Sequence, residues 1–127
     1  MLVELSIENL GIIENVRVSF DKGFTAFTGE TGAGKTMLVE AINLVVGRRA
    51  DVSIIRDGAE EARVEARFIT NTASGEVETI LCRVLHREGR SRAYINDRMA
   101  TVASLAEIGD ELVDIHGQHA HQRLLSL

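Results

Sequence analysis

Eight consecutive residues, Gly29-Glu30-Thr31-Gly32-Ala33-Gly34-Lys35-Thr36, have the types and spacing to hold a chain of phosphates. Glycines let the backbone curl so that successive N–H groups converge on phosphate oxygens that side chains would otherwise block. Lys35 brings a point charge for the β- and γ-phosphates, and the Thr36 hydroxyl can ligate Mg²⁺. Phe24 to Thr28, before the loop, reads as a short apolar strand. Residues 35–46 after it read as a helix, whose N-terminal dipole end adds to the cradle. Motif and context together predict binding of a nucleoside triphosphate.

Hydrolysis asks for more: a carboxylate that holds Mg²⁺ and a group that activates water. Such a carboxylate usually ends a run of about four apolar residues. The nearest approach is Glu111-Leu112-Val113-Asp114, with only two apolar residues before the aspartate. The missing carboxylate is therefore expected from another segment or a second subunit.

Other constellations are weaker. Asp114, His116, His119 and His121 have ligating atoms, but their spacing is not that of a closed zinc site. Cys82 alternates with Ile80 and Val84 and reads as a core thiol. Arg83, Arg87, Arg90, Arg92 and Arg98 outnumber Glu88 and Asp97 over residues 83–98, so this hairpin could touch DNA phosphates. The competing reading is a solvated hairpin with local ion pairs. Tyr94 is the only tyrosine, which gives little support to base stacking.

The elements that position these residues follow from periodicity. Val3, Leu5 and Ile7 alternate with Glu4, Ser6 and Glu8, predicting a strand over 2–8 with one solvated face. After the Asn9-Leu10-Gly11 break, Val16, Val18 and Phe20 predict an antiparallel neighbour. In the helix over 35–46, Thr36, Glu40 and Asn43 share a stripe and the rest is apolar, as in a helix packed on a sheet, with Gly47 as its C-terminal cap. Residues 63–69 alternate again, and 77–87 and 90–96 predict a hairpin turning at Glu88-Gly89. Thr101 can cap a helix with Val102, Leu105 and Ile108 facing inward, ending near Gly109. Leu112 to Ile115 reads as a short buried strand, and a last helix starts near Ala120.

Composition bounds the class. The chain has 127 residues, 45% of them apolar and 26% charged, which is globular. Its net charge of −5 excludes a simple basic nucleic-acid binder. No apolar run reaches the ~20 residues of a membrane helix, and the N-terminus lacks the basic start of a secretory signal. A single cysteine excludes an internal disulfide and fits a reducing cytosol. No closing element follows the last helix start, so the chain is expected to be part of a larger protein.

Several segments now carry a resemblance. They are Leu5 to Ile13 (L-x-I-x-N-L-x-x-I), Thr28 to Thr36 (T-G-E-T-G-A-G-K-T), Gly47 to Asp51 (G-R-R-A-D), Ile55 to Gly58 (I-R-D-G) and Asp114 to His119 (D-I-H-G-Q-H). Together they resemble the RecN family of bacterial DNA repair ATPases, in the SMC-like branch of the ABC ATPases. The resemblance covers essentially the whole chain and corresponds to that family's N-terminal part alone. It implies an α/β fold, the N-terminal lobe of a P-loop NTPase head of ABC type, with a mixed sheet and an antiparallel β-subdomain. Residues 1–127 would then be an incomplete head, lacking the coiled coil and the C-terminal segment with the signature motif and Walker B carboxylates. The resemblance further implies ATP and Mg²⁺ as cofactors. It makes Gln118 the Q-loop glutamine that contacts Mg²⁺ and the attacking water, and places Arg56 near nucleotide or DNA. Implied partners are DNA, the protein's own C-terminal head segment and a second head in a homodimer, with no membrane, in the cytoplasm at the nucleoid. The implied activity is ATP hydrolysis in double-strand break repair and recombination. Two other functions compete. One is a transporter-type ABC ATPase fragment, disfavoured by the long stretch from Thr36 to Gln118. The other is a non-hydrolysing nucleotide-binding module used for dimerisation or DNA docking.

Overall fold

A computed structural model describes residues 2–20 and 32–112. Its elements are β1 (Leu2–Leu10), β2 (Ile13–Ser19), α1 (Gly32–Val45), a 3-10 turn (Val52–Ile54), β3 (Glu61–Thr72), β4 (Gly75–His86), β5 (Ser91–Ile95), β6 (Arg98–Ala100) and α2 (Val102–Leu112). The described strands form one sheet in the order β2-β1-β3-β4-β5-β6, and every pairing is antiparallel. The strand expected over Phe24 to Thr28, which would make the sheet mixed, lies outside the described residues.

The alternation expected over residues 2–8 holds from Glu4 to Glu8. Leu5 pairs with Ala66 and Ile7 with Val64, and all four are buried on one face. Both ends of β1 break the period. The register with β3 shifts between Leu2 and Glu4, and Asn9 takes φ 55°, so Leu2 and Leu10 are also buried. The second strand starts earlier than Val16, at Ile13, because the turn at Gly11 is short enough for Leu10 and Ile13 to pair. On the core face β4 contributes Leu81, Arg83 and Leu85, and β5 contributes Ala93. α1 packs across β3 and β4, and α2 packs against β5. The small Ala62, Ala66 and Ala93 leave room for the helices to approach.

The opposite face is polar over β1 and β3, where Arg63 pairs with Glu65 at 3.4 Å and Arg67 with Glu78 at 3.3 Å. Cys82 lies on this face, buried beside the Arg63 guanidinium. Burial pushes its thiol above the ordinary range despite that guanidinium. The hairpin turning at Glu88-Gly89 is present, with Gly89 at φ 97°. The sequence reading missed a further strand: Asn96 and Asp97 take φ 51° and 68°, a tight turn that returns the chain as β6. Asn96 also closes the ladder beyond β5, accepting from the Ile80 amide and donating its own N–H to the Ile80 carbonyl, each at 2.8 Å.

Both helices are capped as their sequences ask. Gly47 takes φ 86°; its N–H donates to Leu44 O at 3.2 Å and the Arg48 N–H to Asn43 O at 3.0 Å, the Schellman pattern. Thr101 Oγ1 accepts from the Ser104 amide at 2.9 Å at the start of α2. The helix does not end near Gly109. It runs through Leu112, which is therefore helical rather than the start of a strand; residues 113–115 lie outside the described residues. Gly109 is buried where α2 crosses the end of α1, and a Cβ there would stand 2.7 Å from Val46 Cβ. Glycine serves close approach at that position, not termination.

Candidate nucleotide site

The helix expected over 35–46 begins three residues earlier, at Gly32. The second half of the phosphate motif, Gly32 to Thr36, is thus the first turn of α1, where amide groups have no intrahelical acceptor. A helix with so apolar a body, running over buried Leu38, Ala41, Ile42, Leu44 and Val45, is held by the sheet beneath it. Gly29, Glu30 and Thr31 lie outside the described residues, as do Gln118 and the group Asp114, His116, His119 and His121. Among the described residues no cluster of His, Cys, Asp and Glu could hold a metal ion.

Arg56 is held against the turn joining β1 and β2. Its backbone N–H donates to Asn9 O at 2.9 Å and its Nη1 to Ile12 O at 3.2 Å. The Gly11 N–H donates to Ile54 O at 2.7 Å, and Leu10 bridges Ile55. Gly11, at φ 56°, faces the start of α1: a Cβ there would be 2.5 Å from Met37 Sδ, and Met37 follows Thr36. One turn therefore touches the residue after the phosphate motif on one side and Arg56 on the other. Ile12, at its tip, is 68% exposed. Asp51 caps the 3-10 turn beside it, accepting from the Ser53 amide at 2.9 Å, a bond that lowers its carboxyl pKa.

The five arginines of residues 83–98 do not form one surface. Arg83 points inward, 4% exposed. Its Nη1 donates to Leu44 O at 2.9 Å and Arg48 O at 3.0 Å, and its Nε to Ser91 Oγ at 2.7 Å. Arg87 spends its guanidinium on the carbonyls of Ala59 (2.7 Å) and Arg56 (2.9 Å), tying the hairpin to the Arg56 loop. Arg90 pairs with Glu88 and Arg92 with Glu61, both at 3.4 Å. Arg98 is exposed on β6. The grouping by sequence proximity fails for Arg83 because strand parity puts it with Leu81 and Leu85. That parity was the signal available: a charge at an inward position asks for buried acceptors. A depression of about 360 Å³ lined by Glu8, Arg17, Glu61 and Arg63, of mixed charge, lies on the sheet face away from α1. No helix among the described residues is long and apolar enough to cross a membrane.

The sequence profile of the AAA domain family matches residues 4–119. The DNA repair protein RecN of Halalkalibacterium halodurans is 44% identical over 138 aligned positions, covering 98% of this chain and 24% of its own length. RecN of Streptomyces coelicolor is 42% identical, covering 97% and 24%, and that of Bacillus subtilis 39%, covering 98% and 24%. The chain thus spans about a quarter of the length of these relatives. Among solved structures, the Smc head domain of Pyrococcus furiosus, bound to the C-terminal domain of ScpA, superposes with a TM-score of 0.71 at 25% identity. It covers 89% of this chain and 32% of that one. An SMC ATPase structure, from work on ATP-driven dimerisation and DNA-stimulated activation, gives 0.69 at 26% identity, covering 89% and 77%.

Proposed function

The chain belongs to the AAA domain family, and from that premise we propose that residues 1–127 are the N-terminal part of an SMC-like ATPase head. The head binds ATP with Mg²⁺ and hydrolyses it once a C-terminal head segment and a second head complete the site. Its work is DNA double-strand break repair and recombination, in the cytoplasm at the nucleoid. The observation that carries this reading is a complete phosphate motif whose last five residues open α1. The similarity to RecN proteins along nearly the whole chain supports the repair role over a transporter role.

The donor set fits a magnesium triphosphate. Backbone amides from Gly29 to Lys35, with Glu30, Thr31 and Ala33 contributing main chain alone, would surround the phosphate oxygens. Lys35 would neutralise the β- and γ-phosphates, and Thr36 and Gln118 would supply oxygen to the metal. Gln118 would also orient the attacking water. Arg56, whose guanidinium donates to Ile12 O in the turn that meets Met37, would contact nucleotide or DNA.

Steady-state phosphate release by the full-length protein, with and without DNA, tests the proposal. Lys35→Ala should abolish turnover, and Gln118→Ala should lower kcat more than ATP affinity, because a contact to the attacking water matters in the transition state. The isolated 127-residue chain should hydrolyse ATP negligibly, and supplying the C-terminal segment should restore turnover that rises more steeply than linearly with concentration. Full turnover in Lys35→Ala would overturn the assignment.

A further inference from the structure

We propose that Arg83 is a positioning residue for the nucleotide site: from the far end of α1 it fixes the helix along its own axis, and so sets where the phosphate-binding first turn stands. The proposal rests on the ATP-binding reading above.

Arg83 lies at an inward position of β4, between Leu81 and Leu85, and none of its hydrogen-bond partners is a carboxylate. Taking a guanidinium out of water costs several kcal/mol, and an apolar side chain would fill the same space without that cost. What the apolar side chain could not give is direction. Nη1 bridges two carbonyls, Leu44 in the last turn of α1 and Arg48 just past its cap, and so brackets Gly47. Nε is aimed by Ser91 on β5. The clamp therefore joins the C-terminal end of α1 to two neighbouring strands. Carbonyls at a helix C-terminus carry the negative end of the macrodipole, which suits a cation.

Besides an exposed ion pair of Arg48 with Asp110 at 3.5 Å, two close approaches at this end restrain the helix sideways. A Cβ on Gly47 would stand 2.7 Å from Ala106 Cα, and one on Gly109 would stand 2.7 Å from Val46 Cβ, so α2 lies directly against the end of α1. Neither contact opposes sliding along the axis as two directed hydrogen bonds do. α1 has 14 residues and is about 21 Å long. Arg83 hydrogen-bonds to the C-terminal end of the helix it holds, so it reaches the first turn through the helix itself. A packed helix transmits an axial shift undiminished, and a misplacement of about 1 Å at a reacting site can cost two orders of magnitude.

The test uses full-length protein. Arg83→Lys keeps the charge but replaces the fork by a single ammonium; Arg83→Met keeps the stem alone; Ser91→Ala removes the group that aims the guanidinium. Folding is checked by circular dichroism, and affinity by titration with a fluorescent ATP analogue. Arg83→Lys should fold and bind the analogue about tenfold more weakly. Combined with Lys35→Ala, its loss should be less than the product of the two single losses, because both act through the same lysine placement. If Arg83→Met does not fold, Arg83→Lys and Ser91→Ala still decide. Folded variants that bind within about twofold of wild type, or losses that multiply independently, would overturn the proposal. A wild-type protein that binds no analogue would overturn the ATP reading and this proposal together. Wild-type binding with an unaffected Arg83→Lys overturns this proposal alone.

Discussion

The two ends of α1 meet opposite demands. At the N-terminal end the sequence supplies glycines, a lysine and a threonine, and the first amides have no acceptor within the helix. At the C-terminal end every device closes the helix off: the Schellman bonds of Gly47 and Arg48, the buried Arg83, and the close approach of Gly109 to Val46. On the proposed function, a helix that presents one terminus to a nucleotide is anchored by the other. Glycine appears at both ends for different reasons, at one, on the proposed function, to let backbone meet phosphate and at the other to let backbone meet a helix.

Substitutions at the two ends should therefore separate affinity from stability. Gly47→Ala carries both left-handed strain and a clash with Ala106, and should destabilise by about 3 kcal/mol, read in guanidinium unfolding. Unchanged stability would mean that α2 does not lie so close. Lys35→Ala should do the reverse, weakening ATP binding about 100-fold in titration while the unfolding midpoint stays put. A loss of stability of similar size there would erase the contrast. Thr101→Ala, which unties the start of α2 on the closed side, should cost about 1 kcal/mol in the same unfolding experiment. Replacing Arg90 and Arg92, already paired on the surface, should move stability by less than about 0.5 kcal/mol. If they contact DNA, the slope of log affinity against log salt falls by about 0.9 per lost contact; an unchanged slope leaves them as solvated ion pairs.

Local features were readable from the sequence and tertiary ones were not. The Gly47 cap, the Thr101 cap and the Glu88-Gly89 turn depend on a few adjacent residues, and each is where its residue types place it. The alternation of β1 was legible between Glu4 and Glu8, but the register shift at one end and the positive φ of Asn9 at the other hid the inward turn of Leu2 and Leu10. Gly109 was misread because a glycine late in a helical pattern can end the helix or admit a neighbour, and only the crossing of α2 over Val46 decides. The Asn96-Asp97 turn was missed because neither residue is glycine, although both tolerate the left-handed region. The phosphate motif was read from spacing alone, and its last five residues lie at the start of α1. The role of Arg83 required knowing that Leu44 and Arg48 would lie across from it.

The pairing of β1 with β3 also sets an order of events in time. Roughly fifty residues separate these neighbours, so closing this pair carries most of the loop entropy of the sheet, whereas β1–β2 and β3–β4 are hairpins that form locally. A ribosome adding about 5–20 residues per second delivers β1 several seconds before β3. In that interval β1 has one open edge and α1 has only β1 and its turn to meet, since β3 and β4, the strands it crosses, have not yet been made. The helix that carries the phosphate motif is therefore finished as sequence before it can be finished as structure, and its docking and the closure of the sheet become one late, cooperative step.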